Sequence, residues 1–188
     1  MKEIRIHGRG GQGVVTASEL IAISAFKNKK FAQAFPSFGV ERTGAPIEAY
    51  SRVDDKFIRT REQIYNPNIL IILDASLLET TNIIFGCNKG TTIIVNTTLS
   101  SKEINKILLD KWKFKTPVKN IHTLDATSIA LKILGKNLAN TVILGFLAKN
   151  SKLLSLESTK EAIKEKFQEK SKKIIDKNIK AITSAYQE

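Results

Sequence analysis

The sequence is poor in the residues that carry redox and metal chemistry. It has one cysteine, Cys87, in 188 residues. The chain therefore builds no internal disulfide and, by itself, no iron–sulfur cluster or Cys-rich zinc site. Cys87 lies in the turn-like stretch FGCNKG after apolar residues, a setting for a buried thiol rather than a nucleophile. The two histidines, His7 and His122, are too far apart in the chain to suggest a metal site. Each sits on a strand-like run and reads as a core or hydrogen-bonding residue. No apolar run approaches the roughly 18 residues that a membrane span needs. The opening MKEIRIH is charged and no signal-peptide core follows it, so cytoplasmic residence with no membrane partner is expected. The lone Trp112 lies in KWKFKTP, and the lysines are not interleaved with aromatics. With no nucleic-acid motif present, a net charge of +12 reads as a solvated basic face, and no nucleic-acid partner is expected.

That charge is unevenly spread. Residues 1–98 carry 12 Lys and Arg against 9 Asp and Glu, whereas residues 99–188 carry 18 against 9. The apolar and charged fractions, 42% and 26%, are those of an ordinary globular protein. The length suits one domain over residues 1–188, with enough chain for a three-layer core.

The pattern of the chain is α/β. EIRIH alternates as a first strand, and a helix from Val14 to about Phe26 is apolar on most of its circumference, which predicts burial between the sheet and a further layer or partner. KKFAQAFPSFG is extended and broken at Pro36, and APIEAYSRVDDKFIRTR has the alternation of a β-hairpin turning near Asp54 and Asp55. NILIILDAS and TTIIVNTT are short continuous apolar runs, typical of parallel strands buried on both faces. Their polar ends (Asp74 and Ser76; Asn96, Thr97 and Thr98) fall at the carboxyl edge, where open α/β sheets bind ligands. VKNIHTLDAT adds a strand ending at Asp125, SIALKILG a helix closed by Gly135, and NTVILGFLAKNS a buried helix. From about Ser155 the remainder reads as helical. Ile163, Phe167, Ile174, Ile175, Ile179, Ile182 and Tyr186 form one stripe, and Glu157, Glu161, Glu165 and Glu169 lie on a solvent face beside Lys160, Lys164 and Lys172. The expected fold is a three-layer α/β/α sandwich with a mostly parallel, mixed central sheet, an inserted β-hairpin and a helical C-terminus.

Between the first strand and helix lies HGRGGQGVV, in which Gly8, Gly10 and Gly13 have the spacing G-x-G-x-x-G. A dinucleotide site needs an acid roughly 20 residues beyond, at the end of the second strand. No acid occurs between Glu19 and Glu41. A P-loop needs a Lys after the last glycine, and Val14 stands there. What remains is a compact turn, Arg9, Gly10, Gly11, Gln12 and Gly13, suited to a phosphate, a carboxylate or a neighbouring chain, or serving only as a structural corner. A second dense stretch, FPSFGVERTGAPIEAY, has aromatics and charges without helical period. It reads as a binding or interface element, because a solvated loop would leave Phe35, Phe38 and Val40 exposed.

Together these stretches are specific. GRGGQGVVTASELIAISAF, followed by FAQAFPSFGVERTGAPIEAYSRVDDKFIRTREQIYNP, closely resembles the γ subunit of the 2-oxoacid:ferredoxin oxidoreductases, within that family most of all the pyruvate, or shared pyruvate/2-ketoisovalerate, type. LIILDASLLE, HTLDATSIALKILG, NTVILGFLAKNSKLLSLES and DKNIKAITSAY extend the resemblance over the whole chain. It implies a complex that converts a 2-oxoacid, coenzyme A (CoA) and oxidised ferredoxin into acyl-CoA, carbon dioxide and reduced ferredoxin. Thiamine diphosphate, magnesium and iron–sulfur clusters would belong to the partner α, β and δ subunits. This chain would be a non-catalytic, CoA-supporting subunit without a cofactor of its own. Arg9, Gly10, Gly11, Gln12 and Gly13 would then contact a CoA phosphate or a subunit. Ser37, Phe38, Gly39, Val40, Glu41, Arg42, Gly44, Ala45 and Pro46 would face the active-site subunits, a surface through which an isolated copy could also pair with itself. The family often has a second basic residue after VER; Thr43 stands there and leaves Arg42 as the candidate for an anion. The competing reading is a stand-alone basic module that binds a nucleotide or CoA.

Overall fold

A computed structural model of the chain describes residues 1–37, 43–114 and 118–188. Six strands form one sheet in the order β2-β3-β1-β4-β5-β6: β1 (Lys2–Arg9), β2 (Phe31–Pro36), β3 (Pro46–Asp54), β4 (Ile69–Ile72), β5 (Thr92–Asn96) and β6 (Ile121–Leu124). β3 is antiparallel to both β2 and β1, and β1, β4, β5 and β6 pair in parallel, so β3 alone runs against the rest. The fully buried runs of β4 and β5 are flanked by helices on both faces, as their unbroken apolarity requires.

One face carries α1 (Val14–Lys27), α4 (Ala126–Leu134), α5 (Ala139–Ser151), α6 (Leu156–Lys166) and α7 (Lys172–Gln187), packed on Ile4, Ile6, Ile71 and Ile94. The other carries α2 (Leu77–Thr80) and α3 (Ser101–Trp112), packed on Leu70, Ile72, Ile93 and Val95. α1 is enclosed between β2 and β3 on one side and α6 on the other, the sandwiching its apolar circumference predicts. α5 goes further: ten of its thirteen residues are buried because α7 covers the side turned away from the sheet. Their crossing is tight at Gly145, where a Cβ would collide with the carbonyl of Ile182.

Two expectations are corrected. The antiparallel pair is present, but its arms are β2 and β3, not the two halves of APIEAYSRVDDKFIRTR. β1 holds the opposite edge of β3 in register from Lys2↔Val53 to Arg9↔Pro46. With both edges of β3 taken, residues 56–61 have no strand to pair with and instead pass beneath β2, where Gln33 Nε2 donates to the Ile58 carbonyl at 3.0 Å. The C-terminal helix is two helices, broken between Lys166 and Lys172. Ile163 and Ile182 are buried as the stripe requires, while Ile174 and Tyr186 are exposed.

Beneath β1–β3–β2 the second sheet face is polar and is covered by loops. The Arg5 guanidinium is buried and donates to the carbonyls of Ile64, Tyr65, Ile83 and Phe85 at 2.6–3.3 Å. One cation thus fastens two separate loop segments to β1, satisfying backbone acceptors that no helix or ladder reaches.

Candidate functional site

The glycine turn leaves β1 at Arg9 and enters α1 through Gly13, which takes a left-handed φ of 74° as the helix N-cap. A Cβ at Gly13 would strike the side-chain amide of Asn140 at the start of α5, and that amide donates to the Gly13 carbonyl at 3.2 Å. Glycine is required by both conformation and space. Gln12 closes the turn: its Oε1 accepts from Arg9 N at 2.8 Å, and its backbone N–H donates to the Arg9 carbonyl at 3.0 Å.

The side chains of the turn converge on Asp74, two residues beyond β4. Asp74 Oδ2 accepts from Arg9 Nε at 3.1 Å and from Gln12 Nε2 at 2.9 Å, while Oδ1 accepts from Ser76 N and Oγ at 3.0 and 2.6 Å. Partial burial works against charge on this carboxyl, but the hydrogen bonds from Ser76 and Gln12 and the nearby Arg9 cation outweigh it and hold Asp74 below the usual carboxylate range. Arg9 also donates to Ser76 Oγ at 2.9 Å and to the Gly44 carbonyl at 3.1 Å. Backbone bonds run beside it, Gly10 N to Ala45 O at 2.9 Å and Gly44 N to Gly10 O at 3.1 Å. The two segments that stand out in the sequence are therefore stitched to each other.

The strand order reverses between β1 and β4: α1 follows β1 onto one face and α2 follows β4 onto the other. This is a topological switch point, where open α/β sheets leave a crevice at the carboxyl edge. A cleft of about 280 Å³ lies there, lined by Gln12, Asp74, Ser76, Asn96, Thr127 and Asn137 among others. Asn96 fixes one wall, donating to Leu73 O and Thr127 Oγ1, each at 2.9 Å, and accepting from Thr127 N at 3.2 Å. The lining is amide and hydroxyl, with its one carboxylate balanced by Arg9.

His7, buried beside the turn, is pushed down to about 3 by burial and by Arg5, so its imidazole is neutral. Burial pushes the Cys87 thiol up to about 11, leaving it protonated. Asp125 caps α4, accepting from Ser128 N at 2.9 Å and Ser128 Oγ at 2.6 Å, and does not meet Asp74. His122 lies edge-on to Phe146. Among the described residues no cluster of His, Cys, Asp and Glu could hold a metal ion, and no helix is long and apolar enough to cross a membrane.

The family model for pyruvate ferredoxin/flavodoxin oxidoreductase matches residues 3–188. The chain belongs to this family. It is 50% identical over 186 residues, 99% of this chain and 96% of the relative, to the pyruvate/ketoisovalerate oxidoreductases common subunit gamma of Thermococcus kodakarensis. It is 44% identical over 188 residues, 100% of this chain and 97% of the relative, to the pyruvate synthase subunit PorC of Methanocaldococcus jannaschii. The crystal structure of the pyruvate oxidoreductase subunit PORC of Thermotoga maritima superposes with a TM-score of 0.83 at 33% identity, covering 100% of this chain and 96% of that one.

Of the residues that the sequence singles out in this family member, Arg9–Gly13, Gly44, Ala45 and Pro46 lie together, with Pro46 opening β3. Ser37 lies at the end of β2, its N–H donating to Glu48 O at 3.0 Å and its Oγ accepting from Gln63 Nε2 at 3.5 Å. Phe38, Gly39, Val40, Glu41 and Arg42 lie outside the described residues. A further pair below Ser37, Glu48 and Tyr50, does not stand out in the sequence. Tyr50 OH donates to Glu48 Oε1 at 2.6 Å, and Glu48 Oε2 stands 3.6 Å from His7 Nε2. Burial and Glu48 push the Tyr50 hydroxyl well above its ordinary range. The only signal for this pair was alternation along β3, which places Glu48, Tyr50 and Arg52 on one face without saying what they meet.

Proposed function

We infer that this chain is the γ, or PorC-type, subunit of a pyruvate:ferredoxin oxidoreductase, the complex that turns pyruvate and CoA into acetyl-CoA and carbon dioxide and passes the electrons to ferredoxin. The observation that carries this reading is 50% identity over 99% of the chain to a protein named as a common gamma subunit. The cofactors sit in the α, β and δ partners. An iron–sulfur cluster needs several thiolates, and this chain offers one cysteine with a partly buried, protonated thiol, so its residues do not fit that group. Thiamine diphosphate, bound by the catalytic subunits, supplies the stabilised carbanion.

The part taken by this chain is support. Arg9–Gly13 and Gly44–Pro46, which lie together, belong to a surface that faces the thiamine-binding subunits and flanks the path of CoA. Arg9 is committed to Asp74, Ser76 and Gly44, which favours a subunit contact over a free phosphate clamp and speaks against a stand-alone nucleotide module. The purified chain is expected to show no 2-oxoacid oxidation and, when co-expressed with the α, β and δ chains, to copurify with them in fixed proportion. Pyruvate oxidation by the isolated chain, or failure to copurify, would contradict the reading.

A further inference from the structure

β2 ends the sheet, and its outer edge is open among the described residues. Ser37 N donates to Glu48 O, so residues 37 and 48 form a hydrogen-bonded pair. By the alternation of an antiparallel ladder, Phe35↔Tyr50 and Gln33↔Arg52 are bonded pairs too. The N–H and C=O of Ala32 and Ala34 therefore point away from β3. Pro36 also falls at an outward position, where its missing N–H costs no ladder bond.

Beside this edge runs a groove of about 510 Å³ lined by Phe31, Ala32, Gln33, Phe57, Ile58, Arg59 and Arg61. Phe31 and Phe57 meet edge-to-face at 6.0 Å while 48% and 72% exposed. Arg59 and Arg61 are exposed, two residues apart, and in no ion pair among the described residues. Of the neighbouring carboxylates, Asp54 pairs with the N-terminal amine at 3.1 Å and Asp55 with Lys30 at 2.9 Å, while the exposed Glu62 beside Arg61 pairs with neither arginine among the described residues.

We propose that the open edge of β2 and the groove beside it take an extended acidic segment of a partner subunit as an added strand. Its backbone pairs with Ala32 and Ala34, an apolar side chain packs on Phe31 and Phe57, and carboxylates two residues apart pair with Arg59 and Arg61. An extended peptide returns the outward N–H and C=O bonds of Ala32 and Ala34 at the strand repeat, which favours a protein strand over a nucleic acid. The two arginines, in no ion pair among the described residues, select an acidic partner over a second copy, which would bring like charges together. The proposal rests on the chain being a subunit of a larger complex.

The test replaces Phe57 with the photo-crosslinker p-benzoylphenylalanine in the complex purified with its partners, followed by irradiation and mass spectrometry of the adducts. The expected adduct lies in a partner segment carrying Asp or Glu on both sides of an apolar residue. Its yield should fall about tenfold or more when Arg59→Glu and Arg61→Glu are introduced together, with the melting temperature of the free chain unchanged. A complex that copurifies yet gives no adduct overturns this proposal alone. So does an adduct only to a second copy, to a basic segment or to nucleic acid, or a yield indifferent to the charge reversal. Loss of copurification of the unmodified chain overturns the subunit reading itself.

Discussion

Arg9 donates to a carboxylate, a hydroxyl and a carbonyl on two other segments, so its removal should be felt in the joining of loops more than in the core. For Arg9→Ala we expect a stability loss of about 1 kcal/mol, since the pair is partly exposed, and a larger effect on assembly, about tenfold weaker association with the partner subunits. Urea unfolding and sedimentation of the reconstituted complex separate the two. His7 makes a second prediction. Its folded pKa, about 3, lies below the ordinary 6.5, so as pH falls the unfolded chain takes up the proton first. The stability it contributes is whole above pH 6.5 and is lost between 6.5 and 3, at up to about 1.4 kcal/mol per pH unit. His122, lowered by partial burial, adds in the same direction. Urea midpoints should drop between pH 7 and pH 5, and His7→Asn should flatten that slope; an unchanged slope would show that His7 is not held neutral by the fold.

Among the elements, the α5–α7 crossing is the most constrained. Gly145 faces backbone, the Ile182 carbonyl, which cannot swing aside as a flexible side chain could. Gly145→Ala is expected to cost roughly 1–3 kcal/mol, seen as a melting temperature lower by several degrees, with Gly145→Val worse. Elements with dense apolar runs or a clear end signal were legible in the sequence: α1, the buried strands β4 and β5, and α4 closed by a left-handed Gly135. Alternation along DKFIRTR matched a strand pattern equally well, yet Phe57 is exposed and Ile58 buried because the segment lies against a face and not in a ladder. Periodicity reports which side is buried, not what buries it. The break between α6 and α7 carries no Gly or Pro, so helix propensity runs through it; the turn follows from the need to fold α7 back over α5 and α4.

For the molecule as a whole, strand order was the hidden variable. That β3 inserts between β2 and β1 follows from no local pattern, and it creates both the open β2 edge and the polar, loop-covered sheet face. The same gap explains the site. Arg9, Gln12 and Asp74 could each be picked out in the sequence, but their meeting depends on β1 and β4 being neighbours. The joining of the glycine turn to Gly44 and Ala45 likewise depends on β3 lying beside β1. The role proposed for this chain is that of a supporting subunit without which the enzyme works poorly. It is tested most directly by pyruvate- and CoA-dependent ferredoxin reduction in a complex of the α, β and δ chains assembled with and without it. Omission should cut the rate severely and adding the purified chain back should restore it; full activity without the chain would show that the complex does not need it.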